Sequence, residues 1–216
     1  MTRADGPLRV LVVCRANVCR SPLARAVLRS TLGDGVEVVA AGTHAPVGSP
    51  ACSLVRARVE AEAWIPPTTG ARAVTAAELR SADLVLGADR TVCADVIALL
   101  PAARPRVFTL REAGPVARIA LGTTRDATRP VGARELVRRM PAARAIAWHA
   151  DVAGATGRRR RGAGTTQPEG ARWDVADGHL EDLAAHERTI DAVVAACHDL
   201  VDVLARVLDE ESAARS

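Results

Sequence analysis

Residues 8–14, Leu-Arg-Val-Leu-Val-Val-Cys, form a short apolar run, and Ser21-Pro22 follows closely. The run has the character of a buried strand. Ser is a helix-capping residue and Pro suits the first helical turn, so a helix is expected over 21–32. Only Arg15-Ala16-Asn17-Val18-Cys19-Arg20 lies between. So short a connection is a tight loop, whose backbone N–H groups can point at one centre at the positive end of the helix dipole. Cys14 stands at one end of that loop and Arg20 at the other.

The remaining pattern fits this beginning. Strands are expected over 36–42, 82–88 and 106–110, with helices over 49–62 and 91–100. Strands alternating with helices imply an α/β fold with a parallel, doubly wound sheet. Ile190, Val193, Val194, Cys197, Leu200, Val201, Leu204 and Leu208 recur at helical period, so a last helix is expected over 180–208. Residues 150–172 are rich in Gly, Thr and Arg and contain Arg158-Arg159-Arg160-Arg161; they read as a flexible loop insertion. With 216 residues, 49% of them apolar, the chain suits one domain with a sizeable core.

The loop can do phosphoryl-transfer chemistry. A Cys14 thiolate is a nucleophile in positive potential. Arg20 can hold two phosphoryl oxygens through its planar fork. Ser21 can donate to the sulfur, and Asn17 can brace the loop through side-chain to backbone bonds. Arg15, Ala16, Asn17, Val18, Cys19, Arg20 and Ser21 together are the expected phosphate-binding residues.

Val13-Cys14-Arg15-Ala16-Asn17-Val18-Cys19-Arg20-Ser21-Pro22 resembles the signature of the low-molecular-weight protein tyrosine phosphatases. Ala41-Gly42-Thr43-His44, Gly48-Ser49-Pro50, Ala82-Asp83-Leu84-Val85-Leu86, Phe108-Thr109-Leu110-Arg111-Glu112 and the segment around 174–177 also resemble that family, in its order. The resemblance implies a four-stranded parallel sheet with helices on both faces, and a single such domain over residues 1–216. It implies hydrolysis of phosphomonoesters, phosphotyrosine in proteins above all, through a phosphocysteine on Cys14 with Arg20 binding phosphate. The partner would be a phosphorylated protein or a small phosphomonoester, and no cofactor or metal is called for.

In the family an Asp followed by Pro and an aromatic residue serves as general acid and base. The matching stretch here is Asp174-Val175-Ala176-Asp177-Gly178-His179. Asp177 is the expected acid, with Asp174 the alternative. Gly178 in the place of Pro frees the backbone, which predicts a looser acid. The chain has no Tyr and one Phe, so the aromatic slot of the family is sparse, and Trp173 and His179 are the rings left near the acid. Arg15 could favour acidic or further phosphorylated substrates. Ala16 replaces the family's Gly, which is tolerable unless φ is positive there.

By the same resemblance, Cys19 could trap oxidised Cys14 as a disulfide, the alternative being plain packing. Arsenate reductases of the same fold relay a disulfide to two further cysteines close together. Cys52, Cys93 and Cys197 are far apart in sequence and read as core residues, which disfavours that rival. A binding module without turnover is another alternative. His44, His149, His179, His186 and His198 make no metal-ligand spacing with the cysteines.

The net charge of +4 comes from Arg alone, with no Lys, and is spread along the chain. Without interleaved aromatics this gives no support for nucleic-acid binding. No apolar stretch reaches membrane-spanning length, and five cysteines at low density suit a reducing, cytoplasmic setting.

Overall fold

The computed structural model describes residues 6–123, 131–158 and 171–214. Four strands, β1 (Leu8–Cys14), β2 (Val36–Gly42), β3 (Leu84–Gly87) and β4 (Val107–Thr109), form one sheet in the order β2-β1-β3-β4. All neighbouring pairs are parallel. The expected doubly wound α/β sheet is therefore present. Its helices are α1 (Arg20–Leu32), α2 (Ser53–Ala61), α3 (Ala76–Ser81), α4 (Arg90–Leu99), α5 (Leu110–Gly122), α6 (Ala133–Arg158) and α7 (Leu183–Ala213).

The pleat divides the strand side chains between two cores. Val10, Val12, Leu84, Leu86 and Phe108 join α1, α5, α6 and α7 on one face. Leu11, Val13, Val85 and Val107 join α3 and α4 on the other. Being apolar on both faces is why these strands read as continuous hydrophobic runs.

The expected apolar positions of α7 are buried from Ile190 to Leu204, and α7 packs on α1 and α5. Thr109 and Glu112 close a capping box at the start of α5, so β4 passes directly into helix. Where a loop is expected over 150–172, the described residues 150–158 are helical. Helix α6 continues through Arg158, and residues 159–170, with most of the Arg run, lie outside the described residues.

Candidate active site

β1 is one of the sheet's two inner strands, and its last residue is Cys14, in register with Gly42 at the end of β2. The loop then folds back tightly over β2. Thr43 N–H donates to the Cys14 carbonyl at 3.0 Å and His44 N–H to the Arg15 carbonyl at 2.8 Å. A Cβ at Gly42 would lie 2.6 Å from Arg15 O and 2.9 Å from Asn17 N, so only Gly fits beside the loop. Asn17 takes the left-handed conformation, φ 55°, which Asn tolerates. Ala16 does not, so the alanine there carries no strain.

Cys14 is buried. Its Sγ receives the Asn17 backbone N–H at 3.2 Å and lies 3.0 Å from Ser21 Oγ. Asn17 Nδ2 donates to Ser21 Oγ at 2.9 Å, and Asn17 Oδ1 accepts from Arg72 N–H at 3.0 Å. Ser21 Oγ is also 3.2 Å from the Ala41 carbonyl. The hydroxyl has one proton, and a thiolate can only accept, so ionised Cys14 draws that proton to itself. Ser21 does not cap the helix, contrary to the sequence expectation. Cys19 occupies the N-cap without a side-chain cap bond, and α1 starts at Arg20.

The Arg20 side chain is only 3% exposed. Its Nη1 donates to Asp89 Oδ2 at 2.8 Å and to the Val175 carbonyl at 3.0 Å, and its Nη2 donates to Asp177 Oδ2. Asp177 thus stands beside Arg20, the expected phosphate ligand. Asp174 does not: it is gripped by Arg90, through backbone N–H at 2.9 Å and Nη2 at 2.9 Å. Asp89 had no place in the sequence argument. It caps α4 through Val92 N–H and orients Arg20 with its other oxygen. Its position just past the carboxyl end of β3, where parallel sheets gather their sites, was the available signal.

The turn after Asp177 is tighter than Gly178 suggested. Gly178 is buried, and its N–H donates to Thr189 Oγ1 on α7 at 3.0 Å. Proline would lack that donor. Neither expected ring forms an open wall: Trp173 is buried, and His179 packs edge-on against His186 with centroids 4.9 Å apart.

Cys52 is not a plain core residue. It is half-buried at the N-cap of α2, where its N–H donates to the Val18 carbonyl at 2.8 Å. Its Sγ lies 3.5 Å from His186 Nε2, and Cys19 Sγ lies 3.2 Å from the same nitrogen. A hydrogen bond from Cys19 pulls the Cys52 thiol down to about 5, against opposing burial and helped by Val55 N–H and both histidines. The same bond, burial and the negative charges of Cys52, Cys14 and Asp177 push Cys19 up. Cys93 is pushed up to about 12, chiefly by burial, and the buried Cys197 is pushed up as well.

The family model for low molecular weight phosphotyrosine protein phosphatase matches residues 9–126. The low molecular weight protein-tyrosine-phosphatase Etp of Escherichia coli K12 is 38% identical over 100 residues, which are 46% of this chain and 66% of that protein. The matched stretch thus spans just under two thirds of that relative. A protein-arginine-phosphatase of Geobacillus stearothermophilus is 51% identical over 45 residues, 21% of this chain and 30% of its own. The crystal structure of the Erwinia amylovora tyrosine phosphatase amsI superposes with a TM-score of 0.61 at 17% identity, covering 94% of this chain and 97% of that one. It shares the fold.

Proposed function

The chain belongs to the low molecular weight phosphotyrosine protein phosphatase family, and from that premise we propose that it hydrolyses phosphomonoesters, phosphotyrosine in proteins above all, through a phosphocysteine on Cys14. One observation carries the reading. Cys14 Sγ is held by Asn17 N–H and Ser21 Oγ at the mouth of a loop whose other end buries Arg20 among acidic partners.

The Cys14 thiolate attacks phosphorus, and the bond from phosphorus to the leaving oxygen breaks. Loop N–H groups and Arg20 stabilise the equatorial oxygens as charge develops. Entering phosphate competes with Asp177 for Arg20 Nη2, so substrate frees the carboxyl. Released from Arg20, the Asp177 carboxylate takes up a proton from solvent and passes it to the leaving oxygen, then takes a proton from water as that water attacks phosphorus and the S–P bond breaks. Orthophosphate leaves and the thiolate is restored. Arg15 is exposed at the loop, and under this reading it favours acidic phosphopeptides. The proposed setting is the reducing cytoplasm, where the free cysteines survive. Among the described residues no helix is long and apolar enough to cross a membrane.

The test is turnover of p-nitrophenyl phosphate and its inhibition by vanadate. Cys14→Ser is expected to lower kcat by about 10⁴-fold or more, and Arg20→Ala by about 10²–10³-fold. Full turnover in Cys14→Ser would refute the mechanism. A panel of phosphotyrosine peptide, phosphoserine peptide and arginine phosphate then decides the substrate. If arginine phosphate leads, the cysteine chemistry stands and the tyrosine assignment falls.

A further inference from the structure

Beside the catalytic loop lies a group of side chains that the proposed hydrolysis does not use. Cys19, Cys52, His179 and His186 each offer one donor atom, and the four donors lie within 4.8 Å of one another. They come from the end of the phosphate loop, the N-cap of α2, the turn after Asp177 and the first turn of α7. Cys19 and His186 are buried, and Cys52 and His179 half-buried.

The three distances that converge on His186 Nε2 match those of a coordination shell. Zinc–sulfur bonds of about 2.3 Å and zinc–nitrogen bonds of about 2.05 Å at tetrahedral angles place sulfur and nitrogen about 3.5–3.6 Å apart, and two nitrogens about 3.3–3.4 Å apart. Here Cys19 Sγ and Cys52 Sγ lie 3.2 and 3.5 Å from His186 Nε2. His179 Nδ1 lies 3.4 Å from that nitrogen. Hydrogen bonds alone account poorly for the arrangement. His186 Nε2 faces two sulfurs and a second imidazole nitrogen, and one ring nitrogen can serve only one of them well, as donor or as acceptor. A cation at the centre satisfies all four donors at once.

We propose that Cys19, Cys52, His179 and His186 form a tetrahedral Zn²⁺ site. Two thiolates and two imidazoles are a donor set suited to zinc, and two thiolates balance its charge. Four protein ligands leave no open position, so the site is structural. It ties the phosphate loop to the acid turn through His179, two residues from Asp177. It also engages the Cys19 thiol, so a loaded chain cannot close a Cys14–Cys19 disulfide until the metal leaves. The inference rests on donor geometry and is independent of the substrate.

The experiment is an anaerobic Co²⁺ titration of the reduced, chelator-treated full chain, followed by Zn²⁺ displacement. One equivalent of Co²⁺ is expected, with intense tetrahedral d–d bands and thiolate-to-metal charge transfer that Zn²⁺ abolishes. Cys52→Ser and His186→Ala are expected to weaken uptake by more than the roughly 10–100-fold that loss of an outer-shell partner costs. His44→Ala, outside the group, should bind as the parent does. Ser is a good helix N-cap, so Cys52→Ser keeps α2. The proposal is overturned by weak octahedral bands, by the absence of stoichiometric uptake in the parent chain, or by unchanged uptake in Cys52→Ser.

Discussion

Gly178 donates its backbone N–H to Thr189 Oγ1 at 3.0 Å, so the acid turn is docked directly on the last helix. A Cβ at Gly178 would lie 2.4 Å from the Ala185 carbonyl oxygen and 2.8 Å from Thr189 Oγ1. Gly178→Ala is therefore expected to cost about 1–3 kcal/mol through overpacking. Thr189→Val should cost about 1–3 kcal/mol by stranding a buried donor. Both should lower kcat more than they raise KM, because Asp177 precedes the turn. Urea unfolding and steady-state kinetics check this; a neutral Gly178→Ala would contradict the packing account.

The two aspartates of the acid segment separate by their partners. Asp177 contacts Arg20, and Asp174 is clamped by Arg90. Asp177→Asn is expected to lower kcat by about 10²–10⁴-fold, the usual contribution of a positioned acid. Asp174→Asn should lower thermal stability and leave kcat within a few-fold. Burst kinetics with p-nitrophenyl phosphate will show whether the Asp177→Asn loss lies in forming or in hydrolysing the phosphocysteine.

Asp89 has two tasks, and one substitution parts them. Asp89→Ser keeps a good N-cap for α4 but removes the anion that aims Arg20. Asp89→Ser should still cost about 1–3 kcal/mol as buried Arg20 loses a charged partner, while the inhibition constant for inorganic phosphate rises about tenfold as a charge-assisted contact is lost. Asp89→Ala should show the same phosphate defect and cost about 1 kcal/mol more. Parallel phosphate inhibition and thermal melts distinguish the two.

Alkylation should follow the thiol order of the fold. In reduced, metal-free Cys14→Ser protein, Cys52 sits near pKa 5 and is thiolate at pH 6. An ordinary thiol near 8.5 is only about 0.3% ionised there. The thiolate reacts, so labelling of Cys52 should be strong at pH 6 and fall as pH drops through 5. Cys93, pushed up to about 12, should stay unlabelled to pH 9 unless the chain is unfolded. Peptide mass spectrometry after timed iodoacetamide exposure reads both.

Local chemistry was legible in the sequence, and long-range partnership was not. The strand before Cys14, the loop to Ser21 and the apolar face of α7 all lie in continuous segments with a period or a fixed spacing. Helices α5 and α6 were harder to see because Pro115 and Pro141 lie inside them, and proline normally ends a helix. Asp89 matters through Arg20, 69 positions away along the chain. The Cys19–His186 approach spans 167 positions, and no local spacing announces it. Gly178 differs: its neighbours Ala185 and Thr189 are near in sequence, but only the docking of the turn on α7 makes that glycine necessary.

The reach of Arg20 to Val175 and Asp177, across 155 and 157 positions, also sets an order in time during synthesis. β1, the loop and α1 leave the ribosome first, yet the arginine can meet these partners only after residues 175–177 have emerged. A nascent chain still lacking those residues holds Cys14 and Arg20 without Asp177 beside them, so on the proposed mechanism it has its nucleophile before it has its acid.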